Sequence, residues 1–201
     1  MADSAGGWYL PPVLDYALLA PETPRRISRE LYDRMVSLGL LDDARVELLH
    51  GAIIQMSPNE PCHASPVDEL NAILAPALVG RGRVRIQQPF LAADESEPEP
   101  DVAVVPLGDY HLAHPDRALL VIEIASSSLR KDRLVKAPLY AVSNVREYWI
   151  VNVGERVVEV HRGPIRNRPG GWASVTRHEH AETIAPEAFP DVAIRIADVL
   201  R

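Results

Sequence analysis

The feature that most constrains this chain is a succession of an apolar run, a helical pattern and a second apolar run between residues 118 and 153. The first run, ALLVIEIA, predicts a buried strand at 118–125, and the second, EYWIVNV, predicts another at 147–153. The stretch from Leu129 to Val142 predicts a helix between them. A solidly apolar strand followed by a helix and another strand is typical of a sheet that is covered on both faces. We therefore expect an α/β fold.

Weaker patterns on either side extend this core. SRELYDRMVSLG predicts a first helix, and RVELLHGAIIQM predicts a hairpin that turns at His50 and Gly51. A second helix is predicted to start at Ser65 and Pro66, where a capping-box pattern begins. Further strands are expected at 83–92, 101–105 and 156–162, and in WASVTRHE. Together these elements predict a mixed central β-sheet flanked by helices.

Length and composition bound the organisation of the chain. Its 201 residues suit one domain, which we place at residues 25–201, after a Pro-rich N-terminal extension of residues 1–24. Cys62 is the single cysteine, so no intrachain disulfide can form, and the surrounding PNEPCHASP predicts a turn. The formal charge of −7 argues against a surface coated with positive charge. Any contact with nucleic acid is therefore expected to be local.

Targeting signals are not evident in the sequence. No apolar run reaches the roughly 18 residues that a membrane span needs. The N-terminus, MADSAGGWYLPPVLDY, lacks the basic start and the unbroken apolar stretch of a secretion signal. We therefore expect a cytoplasmic protein without membrane association.

Two acidic residues in or beside apolar strands are candidates for chemistry. Glu123 interrupts the run at 118–125, where an ionised carboxylate without a partner would be costly. An arginine or a metal ion would offset that charge, and the pattern alone leaves both open. Asp101 begins the strand at 101–105, and it is either a solvated loop acid or a partner of Glu123 in one crevice. Two converging carboxylates are the hard oxygen ligands that Mg²⁺ prefers.

Lys131 and Lys136 are the two lysines of the chain, and both lie in the predicted helix that follows Glu123. Five residues correspond to about 500° around an α-helix, so the two lysines are expected on different faces. We predict that Lys136, on the face that carries Tyr140, covers the sheet, whereas Lys131 is solvated.

These residues resemble a known family. EPDVAVV and VIEIASSSLRKDRLVKAPLYAVSNVREYWIVNV are similar to the Uma-type family of proposed restriction endonucleases, a branch of the PD-(D/E)XK nuclease superfamily. RVELLHGAIIQMSP and His63 are similar to the N-terminal part of the same family. The resemblance covers residues 27–200 and implies a restriction endonuclease-like core.

The resemblance also implies roles for individual residues. Asp101 corresponds to the acid of the PD element and Glu123 to the acid of the (D/E)XK element. Ala125 stands where the superfamily usually has lysine, and Lys136 in the following helix corresponds to that lysine. Asp101, Glu123 and Lys136 are thus the expected catalytic residues. The resemblance assigns the metal, Mg²⁺ or Mn²⁺, to Asp101 and Glu123 with help from Glu47.

The expected function is hydrolysis of phosphodiester bonds in nucleic acid, most simply DNA, by a metal-dependent endonuclease. Arg130, Lys131 and Arg133 are expected to contact the nucleic acid, and a homodimer is expected by analogy of fold. Pro138 lies in the helix of Lys136, where it should kink the chain. Two alternatives remain open: a nuclease fold kept as a non-catalytic binding or assembly module, and hydrolysis of a smaller phosphate ester.

Overall fold

The computed structural model describes residues 21–58, 60–165 and 171–201. Most of the predicted extension, residues 1–24, lies outside these ranges. Within them, the helices α1 to α5 span Arg29–Ser37, Pro61–Ala77, Leu129–Lys131, Ala137–Val142 and Ile196–Val199, and a π-helical turn, Asp132–Lys136, joins α3 to α4. The strands β1 to β12 span Val46–Leu49, Ala52–Gln55, Arg83–Ile86, Val102–Val105, Arg117–Ala118, Leu120–Ala125, Asn144–Val145, Glu147–Asn152, Val157–Ile165, Gly171–His178, Thr183–Ile184 and Ile194–Arg195.

A six-stranded mixed sheet with the order β10-β9-β8-β6-β4-β3 forms the centre of the fold. Its β6 and β8 pair in parallel, whereas the other neighbouring strands pair antiparallel. The helical segment from α3 to α4 makes the crossover that a parallel pair requires. The predicted α/β class and the mixed central sheet flanked by helices are confirmed.

Apolar side chains cover both faces of this sheet. On one face, Ile122 and Ile124 of β6 pack with α2 and the C-terminal segment. On the other, Val121 and Ala125 pack with Tyr140 of α4. Because side chains alternate along a strand, Glu123 lies on the Tyr140 face. The solid apolar run of β6 follows from burial on both faces.

The hairpin of β1 and β2 turns at His50 and Gly51, as predicted, and both residues have positive φ, 49° and 78°. Such angles are those of a tight turn that suits the twist of the strands. A Cβ on Gly51 would lie 2.6 Å from Cβ of Arg26, so glycine is required there. The hairpin brings Glu47 of β1 into the interior, where it is fully buried.

The start of α2 differs from the prediction. The helix begins at Pro61 rather than at Ser65, with Glu60 as its N-cap residue. Pro61 suits the first turn because its missing N–H has no partner there in any helix. Cys62 and His63 therefore lie in the first turn of α2 and not in a loop. The start of α2 at Pro61 sets the direction in which the side chain of His63 points.

Candidate active site

The sheet register brings Asp101 and Glu123 to the same level of one face. Val102 of β4 pairs with Ile122 of β6, and the next step in this antiparallel register sets Asp101 opposite Glu123. Oδ2 of Asp101 accepts a hydrogen bond of 2.8 Å from the backbone N–H of Ile124. Residues opposite each other on paired strands project to the same face. The two acids predicted to converge are therefore neighbours.

Asp101 is held by three donors. Its Oδ1 lies 2.9 Å from Nε2 of His63 and accepts a hydrogen bond of 3.3 Å from the amide of Gln87. Burial by itself would raise the pKa of Asp101, but the His63 contact and the Ile124 N–H together lower it. Asp101 thus stays ionised although its side chain is buried. The same contact raises the pKa of His63, against the effect of its partial burial.

Glu123 is paired with the predicted lysine. Its Oε1 accepts hydrogen bonds from Nζ of Lys136 at 2.9 Å and from the hydroxyl of Tyr140 at 2.8 Å. Burial raises the pKa of Glu123 to about 8, which Lys136 only partly offsets, and Asp101 and Asp132 raise it further. Lys136 is buried as well, but Glu123 and Glu47 raise its pKa, so it stays charged. Carboxylates outnumber ammonium groups here, and burial favours the protonated form of Glu123.

The helix that carries Lys136 is not the continuous α-helix that was predicted. Residues Asp132–Lys136 form a π-helical turn in which the N–H of Ala137 bonds to the carbonyl of Asp132, five residues earlier. Pro138 follows directly, and in an α-helix its ring would collide with the carbonyl of Leu134. The wider turn avoids this clash, and π-turns of this kind recur at functional sites.

The π-turn changes the direction of the two lysines. Nζ of Lys131 lies 3.1 Å from Oε1 of Glu47, and Nζ of Lys136 lies 3.1 Å from Oε2 of the same carboxylate. The prediction that the lysines face different ways, with Lys131 solvated, is therefore wrong. Five residues make about one closed turn in a π-helix, so both ammonium groups lie on one face.

A cavity of about 390 Å³ opens beside these side chains. Asp101, Glu123, Lys136, His63 and Asp132 line it, together with Ser126, Ser127 and Ser128 from the loop after β6. Asp132 is buried, and its Oδ2 accepts a hydrogen bond of 2.5 Å from Ser128, although burial raises the pKa of Asp132. The cavity gives a ligand access to both acids and to the buried lysine.

Residues 29–197 match the family model Uma2, described as "Putative restriction endonuclease". The chain belongs to the Uma2 family. No functionally curated protein matches it.

The Uma2 chain is also similar to a solved structure, described as a "putative nuclease belonging to DUF820" from Anabaena variabilis. The TM-score is 0.56 at 16% sequence identity, and the match covers 79% of this chain and 90% of that one. At this identity the likeness shows the fold, which is the restriction endonuclease-like core expected from the sequence.

The donor set of this Uma2 protein fits a divalent cation at two of the three predicted ligands. Asp101 and Glu123 supply carboxylate oxygens to the cavity, and Mg²⁺ commonly takes one or two carboxylates with water and substrate phosphate. Both hydrogen bonds that Glu123 accepts within the described residues go to Oε1. Glu47 does not line this cavity, and its two oxygens lie 3.1 Å from Nζ of Lys131 and of Lys136, so its part as a third ligand stays a prediction. Across the described ranges, no three His, Cys, Asp or Glu side chains are grouped to hold a metal.

The three residues predicted to contact nucleic acid lie at the cavity rim or beyond it, and two of them already have partners. Lys131 binds Glu47, and Arg133 binds Glu159 on β9. Arg130 is exposed, and within the described part of the chain it has no ion-pair partner. Arg130 is therefore the member of this set whose charge is not already offset.

The sequence patterns do not predict two contacts of Asp101. PNEPCHASP predicts a turn for His63, and the strand expected at 83–92 includes Gln87. In the structure β3 ends at Ile86, and Gln87 has a φ of 48°. A signal for His63 was present in Pro61, since proline is favoured in the first turn of a helix.

Proposed function

We propose that this chain is a metal-dependent endonuclease that hydrolyses phosphodiester bonds of nucleic acid, with DNA as the first substrate to test. The observation that carries the proposal is the group formed by Asp101, Glu123 and Lys136: two acids at one level of neighbouring strands, and a buried lysine 2.9 Å from the second acid. Family membership and the fold support the same conclusion.

The protein side chains would divide the work as follows. Asp101, oriented by His63, Gln87 and the Ile124 N–H, presents one carboxylate, and Glu123 presents the second. Mg²⁺ or Mn²⁺ held there would polarise the phosphodiester and activate a bound water. Lys136 keeps its charge in the buried site, where it stabilises negative charge that develops on the phosphate. Tyr140 holds Glu123 in place.

The test uses supercoiled plasmid and linear duplex DNA with Mg²⁺, Mn²⁺ or EDTA. We expect nicking or linearisation by the wild type in Mg²⁺ or Mn²⁺, and none in EDTA. Glu123→Gln and Asp101→Asn should lose the activity, whereas His111→Asn, a change of an exposed loop residue, should keep it. Cleavage that survives Glu123→Gln would overturn the assignment of the site.

A non-catalytic binding module is the second candidate, and one feature favours it. Asp101 and Glu123 already have polar partners without any metal, so the network is complete as a structural element. If the wild type does not bind Mn²⁺ by calorimetry and does not cleave DNA, the binding module replaces the endonuclease as the proposed function. Assembly as a homodimer stays part of the proposal for either function, and sedimentation would test it.

A further inference from the structure

Two arginines lie on the edge strand of the sheet with one tyrosine between them. Arg83 and Arg85 of β3 pair with Val105 and Ala103 of β4, so both side chains project from the Tyr140 face of the sheet. Their guanidinium carbons lie 5.7 Å and 5.8 Å from the ring centre of Tyr110. The ring supports both side chains by cation-π contact and limits their freedom.

Neither arginine is neutralised. Within the described ranges no carboxylate pairs with Arg83 or Arg85, whereas the nearby Arg81 makes two hydrogen bonds of 2.7 Å to Asp191. Arg85 has one N–H donor, Nε, that is buried without an acceptor, and its NH2 group lies 3.3 Å from Nδ1 of His114. Burial and the charge of Arg83 lower the pKa of Arg85, and the charge of a bound anion would favour the protonated guanidinium.

The register connects this pair to the active site. In this pairing Arg83 stands opposite Val105 and Arg85 opposite Ala103, and Gln87, just beyond the end of β3, contacts Asp101. Gln87 donates a hydrogen bond to Asp101, and its backbone N–H bonds to the Asp101 carbonyl at 3.1 Å. At about 3.4 Å per residue, Arg85 lies about 7 Å and Arg83 about 14 Å along the strand from this level.

We propose that Arg83 and Arg85, held by Tyr110, bind the phosphodiester backbone of a nucleic-acid strand whose scissile phosphate lies at Asp101. This inference rests on the proposed nuclease function and adds the path of the strand. Guanidinium groups suit phosphate because their planar N–H donors match its oxygens two at a time. With a formal charge of −7, the protein needs such a local positive surface to bind a polyanion.

The decisive measurement is the salt dependence of binding to a labelled 30-base-pair duplex, by fluorescence anisotropy in EDTA so that no cleavage occurs. Arg83→Gln and Arg85→Gln should each reduce the slope of log K against log salt by about one, and the double variant by about two. The matched control is Arg81→Gln combined with Arg195→Gln. It removes the same charge from arginines already paired with Asp191 and Asp198, so the slope should not change.

The outcomes separate the two proposals. If the wild type binds and cleaves DNA but the double variant keeps the wild-type slope, the strand path is wrong and the nuclease function stands. If the wild type neither binds nor cleaves DNA, both proposals fall. If the Arg81 and Arg195 control loses as much slope as the Arg83 and Arg85 double variant, the loss is a general effect of charge. That result would also overturn the path. Thermal melting of each variant confirms that the fold is intact.

Discussion

Lys131 and Lys136 bind the two oxygens of one carboxylate although they are five positions apart in a helical segment. The π-turn between α3 and α4 makes this possible, and Glu47 is the shared partner. The two contacts have the same length, 3.1 Å, but their surroundings differ: the Lys136 side chain is 3% exposed and that of Lys131 is 36% exposed. The two ion pairs should therefore contribute unequally to the free energy of unfolding, although their N–O distances are the same.

The first prediction concerns these two lysines. Lys136→Met leaves Glu123 and Glu47 buried without their common cation, and we expect the free energy of unfolding to fall by about 3–5 kcal/mol. Lys131→Met should cost about 1 kcal/mol or less, because water screens that pair. Urea denaturation at pH 7 measures both. Equal losses for the two variants would show that the burial of Lys136 does not govern its contribution.

Glu47 provides the second prediction, which separates a metal ligand from a lysine partner. Asp101→Asn should abolish Mn²⁺ binding measured by calorimetry. Glu47→Gln should keep Mn²⁺ binding within a few-fold of the wild type, because its oxygens contact ammonium groups and not the cavity. Loss of binding in both variants would restore Glu47 to the ligand set.

His63 gives the third prediction. It holds Asp101 through a contact of 2.9 Å, and loss of such a support for a metal ligand typically costs about 10–100-fold in metal affinity or activity. We expect His63→Asn to weaken Mn²⁺ binding and cleavage by factors in that range, with His111→Asn as the exposed control. Wild-type affinity in His63→Asn would mean that Gln87 and the Ile124 N–H suffice to orient Asp101.

The fourth prediction uses Glu97, which is buried beside Asp33 and whose Oε2 has no partner among the residues that the structure describes. Burial and the Asp33 charge raise its pKa from 4.5 to about 7. The pKa of Glu97 is higher in the folded than in the unfolded state. Its contribution to the free energy of unfolding is therefore complete below pH 4.5 and is lost as the pH rises through about 7. Because Glu97 lines a cavity that is open to solvent, screening limits the effect to about 1–2 kcal/mol. Glu97→Gln should remove this loss, measured by urea denaturation from pH 5 to 8.

The fifth prediction concerns His161, which is buried and whose ring nitrogens have no hydrogen bond within the described part of the chain. It packs on Tyr148 and Trp172, with ring centres 5.4 Å and 5.8 Å away. Burial lowers the pKa of His161. Its contribution to the free energy of unfolding is therefore complete above pH 6.5 and is lost as the pH falls below that value. His161→Phe should raise the free energy of unfolding by about 1 kcal/mol at pH 7, and by more at pH 5. A destabilised Phe variant would mean that water satisfies the ring.

Strand patterns predicted the part of the site that depends on the sheet. The apolar run of β6 with a single acid inside it fixed the face of Glu123, and the start of β4 placed Asp101 beside it. Side chains on a strand alternate with a period of two, so the position of an acid in an apolar run determines its face. Of the two predicted partners of Glu123, an arginine is not the one that the structure shows: its Oε1 accepts hydrogen bonds from Lys136 and Tyr140.

The helical part of the site could not be predicted from local pattern. Both Pro61 and Ser65 are acceptable helix starts, and the choice between them depends on tertiary contacts such as His63 with Asp101. A π-turn is rarer than an α-turn, and it forms here where Pro138 disfavours the α-turn and where two lysines gain a buried carboxylate. Rotational position calculated from 3.6 residues per turn fails across such a turn.

The order of the charged residues along the chain has a consequence for biosynthesis. Glu47 and Glu123 both leave the ribosome before Lys136, the buried cation that pairs with them. A nascent chain that ends before Lys136 must therefore keep these two acids out of water without that cation or leave that face of the sheet open. We expect the face to close only when α4 docks and β8 pairs with β6, so that the candidate active site is among the last features of the domain to form.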